Sequence, residues 1–260
     1  MKNKKILISK KIKKPYFSVI TVVKNDEKNI IQTLKSVKNQ TYTNFEYIIV
    51  DGNSTDKTIK KLMRFKNQIT YLLSEKDNGI YFAMNKGLKI SKGKIIIFVN
   101  SGDMLTRNAL KIIKKKFDYH KIDFVFGTVK RHYTKDTIIK HGFNRNKLKY
   151  NFDFATAHST GFFLRKNIYK KLGFFNTSYK CSSDYDIYFK ILLKMKLNGG
   201  YTKKNELIGI VSPGGFSSKI SFFNHLIEET MIRIKNNQNI FLIILIFFNA
   251  VIKNLFKRVR

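Results

Sequence analysis

Between residues 17 and 129 the chain alternates two apolar patterns. Short β-rich runs occur at FSVITVV (17–23), FEYIIV (45–50), ITYLLS (69–74), KIIIFV (94–99) and DFVFGTV (123–129). Their central residues are apolar on consecutive positions, which predicts strands buried on both faces. Between them lie helical stripes. Ile30, Ile31, Leu34 and Val37 mark one helix over about 26–38, and Ile59, Leu62, Met63 and Phe65 mark a second over about 55–66, with Asn53 or Ser54 as its cap. A shorter, glycine-flanked helix is predicted at about 79–90, and a fourth at about 107–117, after Thr106 as cap. This alternation predicts an α/β fold: a mostly parallel, Rossmann-like sheet flanked by helices and joined by right-handed crossovers.

The second half is less regular. Residues 130–155 are polar and read as a connecting segment. TGFFLR (160–165) reads as a strand, a helix follows over about 183–196, and Pro213-Gly214-Gly215 marks a turn. A helical region runs from about 220 to the end. Within it IFLIILIFF (240–248) is unbroken, and Ala250, Val251 and Ile252 extend it. As a helix, 240–252 spans only ~20 Å, against the ~30 Å hydrocarbon core of a bilayer. Lys253, Lys257, Arg258 and Arg260 follow. Apolar side chains beside cations suit a helix lying in a membrane interface, and a helix packed on the core or a dimer contact is the alternative. The expected organisation is one domain over 15–218, with halves at 15–130 and 131–218, and a helical extension over 219–260.

Length and composition fit this picture. The 260 residues are 43% hydrophobic, which is enough for a substantial core. The single cysteine, Cys181, excludes an internal disulfide framework and a cysteine-based zinc cluster, so a reducing, cytoplasmic compartment is expected. The basic N-terminus has an apolar run of only Ile6, Leu7 and Ile8, too short for a signal-peptide core. The net charge of +34 invites a nucleic-acid reading. The excess is mostly lysine, however, spread along a chain rich in asparagine and isoleucine, as an AT-rich coding bias would give. General attraction to anionic surfaces is therefore expected, and no specific nucleic acid.

Acids are scarce, 17 against 51 bases, so their placement is informative. Asp51, Glu75, Asp77 and Asp103 fall just past the carboxyl ends of predicted strands, the edge where open parallel sheets bind ligands. Helix capping explains an occasional aspartate there, but not a row of them. The first strand leads into Val23-Lys24-Asn25-Asp26, with neither a GxGxxG fingerprint nor a P-loop. An acidic edge would repel a bare phosphate, and a divalent cation reconciles the two. Mg2+ or Mn2+ takes one or two carboxylates and shares its other positions with diphosphate oxygens and water. Asp103 can offer such an oxygen, while Ser101-Gly102 lets a ligand approach the backbone.

Four motifs in order, FSVITVVKND (17–26), IIVDGNSTDKT (48–58), EKDNGIYFAMNKG (75–87) and FVNSGD (98–103), resemble the family 2 glycosyltransferases of the GT-A fold, and within it the bacterial enzymes that build lipopolysaccharide, capsule or other surface glycans. The resemblance covers roughly residues 15–130, which it makes the nucleotide-sugar-binding half, with 131–218 the acceptor side. It implies that Thr21 borders the nucleobase pocket, that Asp51 accepts a hydrogen bond from a uracil N–H, and that Asp77 and Lys86 line the nucleoside. Ser101-Gly102-Asp103 occupies the place of the family's Asp-x-Asp motif, which leaves Asp103 as its metal-binding carboxylate. Ser182-Ser183-Asp184-Tyr185-Asp186 resembles the segment with the catalytic base, assigned to Asp184, while Asp186 is expected to cap or to form a surface salt bridge. His158 is an acceptor or diphosphate contact or else a packed histidine. Gly214 and Gly215 belong to a loop that folds over the donor or else to a plain surface turn.

The expected activity is thus an inverting, Mn2+- or Mg2+-dependent transfer from a nucleotide-sugar, a UDP-sugar first, to a saccharide or lipid-linked saccharide acceptor. The expected location is cytoplasmic, at the inner face of the membrane. Rival expectations are a GDP-sugar donor, transfer to a polyprenyl phosphate, a basic nucleic-acid module, and an inactive scaffold, which Ser101 in place of an acid suggests.

Overall fold

The computed structural model describes residues 6–10, 12–133, 136–150, 154–155 and 158–258. Arg260, Lys2, Lys4, Lys5, Lys11 and parts of the 130–155 segment lie outside them. In chain order the first half contains β1 (Ile6–Ser9), β2 (Phe17–Val23), α1 (Ile30–Lys38), β3 (Phe45–Asp51), α2 (Thr58–Met63), β4 (Tyr71–Ser74), α3 (Ile80–Ile90) and β5 (Ile95–Phe98). Then come β6 (Met104–Leu105), α4 (Ala109–Tyr119), β7 (Phe124–Phe126), β8 (Thr128–His132), β9 (Thr137–Lys140) and α5 (Arg145–Tyr150). The chain finishes with β10 (Phe162–Arg165), α6 (Lys166–Leu172), α7 (Ser183–Phe189), β11 (Gly199–Tyr201), β12 (Leu207–Val211), α8 (Phe222–Lys235) and α9 (Ile240–Arg258).

Eight strands form one sheet in the order β1-β4-β3-β2-β5-β10-β7-β11. The central β4, β3, β2 and β5 run parallel. Alternate residues of these strands feed two cores. Ile20, Val22, Ile48 and Val50 face α3, with Met84 and Leu88, while Val19, Ile49 and Ile97 face Ile30 and Leu34 of α1 and Ile113 of α4. Burial on both faces explains the unbroken apolar runs.

The sheet is mostly parallel, as expected; β1 and β10 pair antiparallel to their neighbours. The run 123–129 is two strands. Gly127 is where the chain leaves the large sheet for a smaller one, β6-β12-β8-β9, and a Cβ there would lie 2.7 Å from Ile208. The segment 130–155 is not a plain connector, since it holds β9 and α5. Ile138 and Ile139 are 45% and 51% exposed, so this hairpin lacks the buried run that signals a strand.

Helix starts also differ. Residues 25–29 precede α1 because they brace α2: the Asp26 N–H donates to Thr58 Oγ1 (3.0 Å) and the Lys57 N–H to Glu27 Oε2 (2.8 Å). Neither Asn53 nor Ser54 caps α2; Ser54 serves Asp51 instead. Thr106 does not cap α4 but donates to the Leu207 carbonyl (2.6 Å). The helix expected over 183–196 turns from α to a π-helical turn at Lys190–Lys194.

The 219–260 extension divides in two. α8 packs on the domain: Leu226 and Ile232 are buried, and Arg233 is fully enclosed. Its guanidinium donates to Leu148 O (2.9 Å), Lys149 O (3.4 Å) and Gln238 Oε1 (2.6 Å). Asn237, at φ +55°, turns the chain, and α9 then folds back beside α8 with Ile243 and Ile246 inward. Removing the Arg233 head orphans these carbonyls and opens a cavity. Arg233→Ala should therefore cost about 3 kcal/mol, a fall of roughly 10 °C in Tm by circular dichroism.

Candidate active site

β3 ends on Asp51, which is fully buried. Its carboxylate accepts from Ser54 N (3.0 Å), Ser54 Oγ and Ser74 Oγ (2.7 Å). These fill three of about four lone-pair positions. Gly52 follows, and a Cβ on it would meet Lys24 Cδ at 3.2 Å and Asp77 Oδ2 at 3.3 Å. Asp77 and Lys86 are in contact, and Lys86 also pairs with Glu75 (2.9 Å). Burial holds Asp77 above the usual carboxylate range, with Lys86 opposing the shift. Thr21 is fully buried, and its hydroxyl is spent on Val99 O (2.8 Å) and Tyr47 Oη (3.0 Å). It lies in the interior behind this edge rather than presenting a polar group to a ligand.

The segment after β5 is pinned from three sides. Gly102 takes φ +95°, a conformation that suits glycine. Its N–H donates to Thr33 Oγ1 (3.0 Å), and its carbonyl accepts from Gln32 Nε2 and Ser212 Oγ (2.6 Å). Ser101 Oγ donates to Asp26 Oδ2 (2.6 Å). An acid from the β2–α1 loop thus stands beside the position where the motif lacks one. Asp103 is buried and accepts from Thr160 Oγ1 (2.7 Å) and the Ser212 N–H (3.1 Å). His158 Nδ1 lies 3.6 Å from Asp103 Oδ2 and accepts from the Thr160 N–H (3.3 Å). Burial raises the Asp103 pKa, partly offset by His158, Thr160, Ser212 and Arg131. Burial lowers the His158 pKa against the pull of Asp103, which favours neutral imidazole.

Asp184 enters from α7. Its Oδ1 accepts from Tyr81 Oη (3.2 Å) and from the Tyr185 N–H (2.9 Å). Behind it lies an apolar cavity walled by Met84, Phe98, Phe162, Tyr169 and Phe175. That burial raises the Asp184 pKa, against the Tyr185 N–H and His158. Asp103, His158 and Asp184 are therefore electrostatic neighbours from opposite halves of the chain. Glu229 of α8 joins the same field, and burial pushes its carboxyl up to about 8. Asp186 is not at the surface: it is buried in an ion pair with Lys190 (2.7 Å) and accepts from Asn236 Nδ2 (3.2 Å). Gly214 and Gly215 sit on an exposed turn, where an added Cβ would meet nothing within 4 Å, just beyond Pro213 and close to the pinned Ser212.

Asp77 Oδ2, Asn100 Oδ1 and Ser183 Oγ are buried without a hydrogen-bond partner. Each such atom costs about 1–3 kcal/mol, and proteins keep them where a ligand or reaction uses them. A roomier surface hollow of about 580 Å³, lined by Ser36, Lys38, Gln40 and Arg107, contains none of these acids. Among the described residues no group of three or more His, Cys, Asp or Glu side chains could cage a metal. Asp103 retains open oxygen lone pairs, however, and fits a cation shared with ligand oxygens. Sequence reasoning assigned no role to Asp26, Tyr81, Thr160, Ser212 or Glu229. Asp26 stands just past the end of β2, so the strand-end rule that found Asp51 would have found it too.

A mostly parallel sheet with acids along its carboxyl edge and the antiparallel β10 inserted in it is the architecture of the GT-A type. Residues 18–181 match Glycosyl transferase family 2, and the chain belongs to that family; the match stops short of Asp184. A glycosyltransferase of Rickettsia prowazekii without an assigned activity is 25% identical over 250 residues, 88% of this chain and 78% of its own length. WfgD of Escherichia coli, named a UDP-Glc:α-D-GlcNAc-diphosphoundecaprenol β-1,3-glucosyltransferase, is 32% identical over 111 residues, 42% of this chain and 44% of that protein. In shape the chain resembles Staphylococcus aureus TarS 1-349 in complex with UDP-GlcNAc (TM-score 0.69, 19% identity, 86% of this chain and 67% of that one). It spans 40% of the longer TarS chain. It also resembles a Pyrobaculum calidifontis mannosyltransferase in complex with GDP-Man and Mn2+ (TM-score 0.66, 17% identity, 92% and 69%). The protein is a glycosyltransferase.

The Ser101–Asp26 contact makes a prediction that runs against the family motif. Ser101→Asp would set two carboxylates face to face, so without metal the variant should lose about 1 kcal/mol, or about 3 °C in Tm. Mn2+ should recover that loss in thermal-shift assays. An unchanged Tm in EDTA would contradict it.

Proposed function

We propose an inverting, metal-assisted transfer of a sugar from a UDP-sugar to a saccharide or lipid-linked saccharide acceptor in bacterial surface-glycan assembly. The observation that carries this reading is the convergence of Asp103, His158 and Asp184, beside buried acceptors left without partners. At the nucleoside end, Asp51 keeps one lone-pair position for a ring N–H and Asp77 Oδ2 is an unfilled acceptor. Lys86 steadies Asp77, and Thr21 supports the floor beneath them. Ser101 and Gly102 lie along the diphosphate, with Asp103 the residue to hold a Mn2+ or Mg2+ ion. When bound, that ion would supply positive charge to the leaving diphosphate. Gly214 and Gly215 give the turn after Ser212 the freedom to close over the donor.

In the reaction the acceptor hydroxyl gives its proton to Asp184 as its oxygen bonds to the anomeric carbon. The anomeric carbon–oxygen bond to the diphosphate breaks on the opposite face, and its electron pair leaves with the phosphate oxygen, inverting the centre. Neutral His158 faces acceptor or diphosphate. Asp184→Asn should lower kcat at least 1000-fold while the UDP Kd, read by calorimetry, stays within about threefold. UDP should bind more tightly than GDP. Because burial raises the Asp184 pKa, the wild-type rate should fall on acidification at a pH above the ordinary aspartate range. Normal turnover by Asp184→Asn would refute the assignment of the base.

The membrane part of the proposal rests on α9. Phe241, Leu245, Phe248, Ile252 and Phe256 are 73%, 67%, 58%, 50% and 71% exposed and recur at helical spacing along one face. Exposed Phe223, Ile227 and Met231 continue an apolar surface on α8. No helix among the described residues is long and apolar enough to cross a membrane. With a net charge of +34, such a face suits the interface of an anionic bilayer. The protein should co-sediment with vesicles containing anionic phospholipid and less with neutral ones. A triple substitution Phe241→Ser, Leu245→Ser and Phe248→Ser should reduce that binding at least tenfold. A concentration-dependent dimer abolished by the same changes, with no vesicle binding, would assign the face to a second copy instead.

A further inference from the structure

Asp184 is the second residue of α7, whose N-cap, Ser182, makes no side-chain cap bond and whose seven α-helical residues run on into the π-helical turn at Lys190–Lys194. The amides of the segment leading into the helix have no helical partner and need acceptors from elsewhere. The acceptor in this case comes from α8. Glu228 receives the N–H groups of Lys180 (2.6 Å), Cys181 (2.9 Å) and Ser182 (2.9 Å), and the Cys181 thiol at 3.2 Å. Three consecutive amides thus converge on one carboxylate, immediately before the base. Burial disfavours the charged Glu228, but the amide hydrogen bonds outweigh it and hold its pKa below the usual range. A charge-assisted bond of this kind is about twice as strong as a neutral one.

The rest of α8 holds the same short helix. Asn236 reaches Asp186 (3.2 Å), and the Arg233 guanidinium lies 5.7 Å and 5.8 Å from the ring centres of Tyr185 and Phe189. Asp184 itself accepts from Tyr81 Oη and the adjacent Tyr185 amide. Where α7 sits bears on where the Asp184 carboxylate points; the core rings Phe126, Phe154 and Phe162 hold one side of α7, and α8 braces the other and the segment before it.

We infer that Glu228 is a positioning residue for the transfer reaction: by gathering the Lys180–Ser182 amides it aims Asp184 at the acceptor hydroxyl, and it makes α8 part of the catalytic unit. This rests on the reading of Asp184 as base. A misplacement of about 1 Å in such a group costs on the order of 100-fold in rate. The loss should fall on kcat alone, because Glu228 touches nothing at the donor side.

The test compares Glu228→Gln, Glu228→Asp, Asp184→Asn and the double variant Glu228→Gln/Asp184→Asn in the full chain. For Glu228→Gln, kcat should fall about 10- to 100-fold, with donor KM and UDP Kd within about twofold. Amide hydrogen exchange should accelerate at Lys180–Ser182 but not across β2–β5. Glu228→Asp should recover part of kcat, and the double variant should be no slower than Asp184→Asn alone, because both act through one group. Faster exchange at 180–182 with unchanged kcat would overturn the inference. So would a loss of kcat accompanied by equal loss of UDP binding. Normal turnover by Asp184→Asn would instead refute the base itself, an outcome separable from an inert Glu228→Gln beside an inactive Asp184→Asn.

Discussion

A carboxylate taken out of water keeps its charge only if donors surround it, and this constraint ties the loops of the site together. Asp51 gathers Ser54 and Ser74, Asp103 gathers Thr160 and Ser212, and Glu228 gathers three amides before α7. Each acid draws segments distant in sequence to one place. In a chain with 51 basic residues, long-range charge alone would not distinguish these positions, whereas short hydrogen bonds do. Donors on the inside are mostly hydroxyls and amides rather than lysines, so the acids stay acceptors for a ligand instead of closing into ion pairs. Asp77, paired with Lys86, and Asp186, paired with Lys190, are exceptions, and on Asp77 one oxygen stays unfilled.

Much of the fold was legible because the central strands are buried on both faces and announce themselves as apolar runs. The smaller sheet was not. Its strand β8 reads Thr128-Val129-Lys130-Arg131-His132, with only the first two residues buried, so pattern gave way to tertiary pairing with β12. The switch of sheets at Gly127 was equally hidden: the run 123–129 looks continuous, and only the proximity of Ile208 shows why no side chain fits there. Terminal helices misled for another reason. Residues 220–258 are apolar enough to read as one segment, and the break at Asn236–Asn239 depends on backbone geometry that pattern does not encode.

The site divides along the same line. Asp51 ends its strand, and Asp77 and Asp103 lie in the loops that leave the carboxyl ends of theirs, so a local rule singles them out. Thr160, Ser212 and Glu228 act across 57, 109 and 46 positions, respectively, to Asp103, Asp103 and Ser182, and no local spacing carries that information. Thr21 is held from the interior. It stands in a motif and near a strand end, but alternation along β2 turns its hydroxyl inward to Val99 and Tyr47.

α8 has two faces with opposed demands. Inward, Leu226, Ile232 and Arg233 are buried and Glu228 and Asn236 brace α7; outward, Phe223, Ile227 and Met231 stay exposed and continue the apolar surface of α9. A helix free on both sides would satisfy neither, because the Lys180–Ser182 amides rely on Glu228 as their acceptor. Packing against the domain therefore has to fix α8 independently of whatever covers its outer face. The enclosed Arg233, bonded to the carbonyls of Leu148 and Lys149 at the end of α5, does this. It joins α8 to α5, so the brace on the segment before Asp184 is set from within the chain and does not depend on what covers the exposed face.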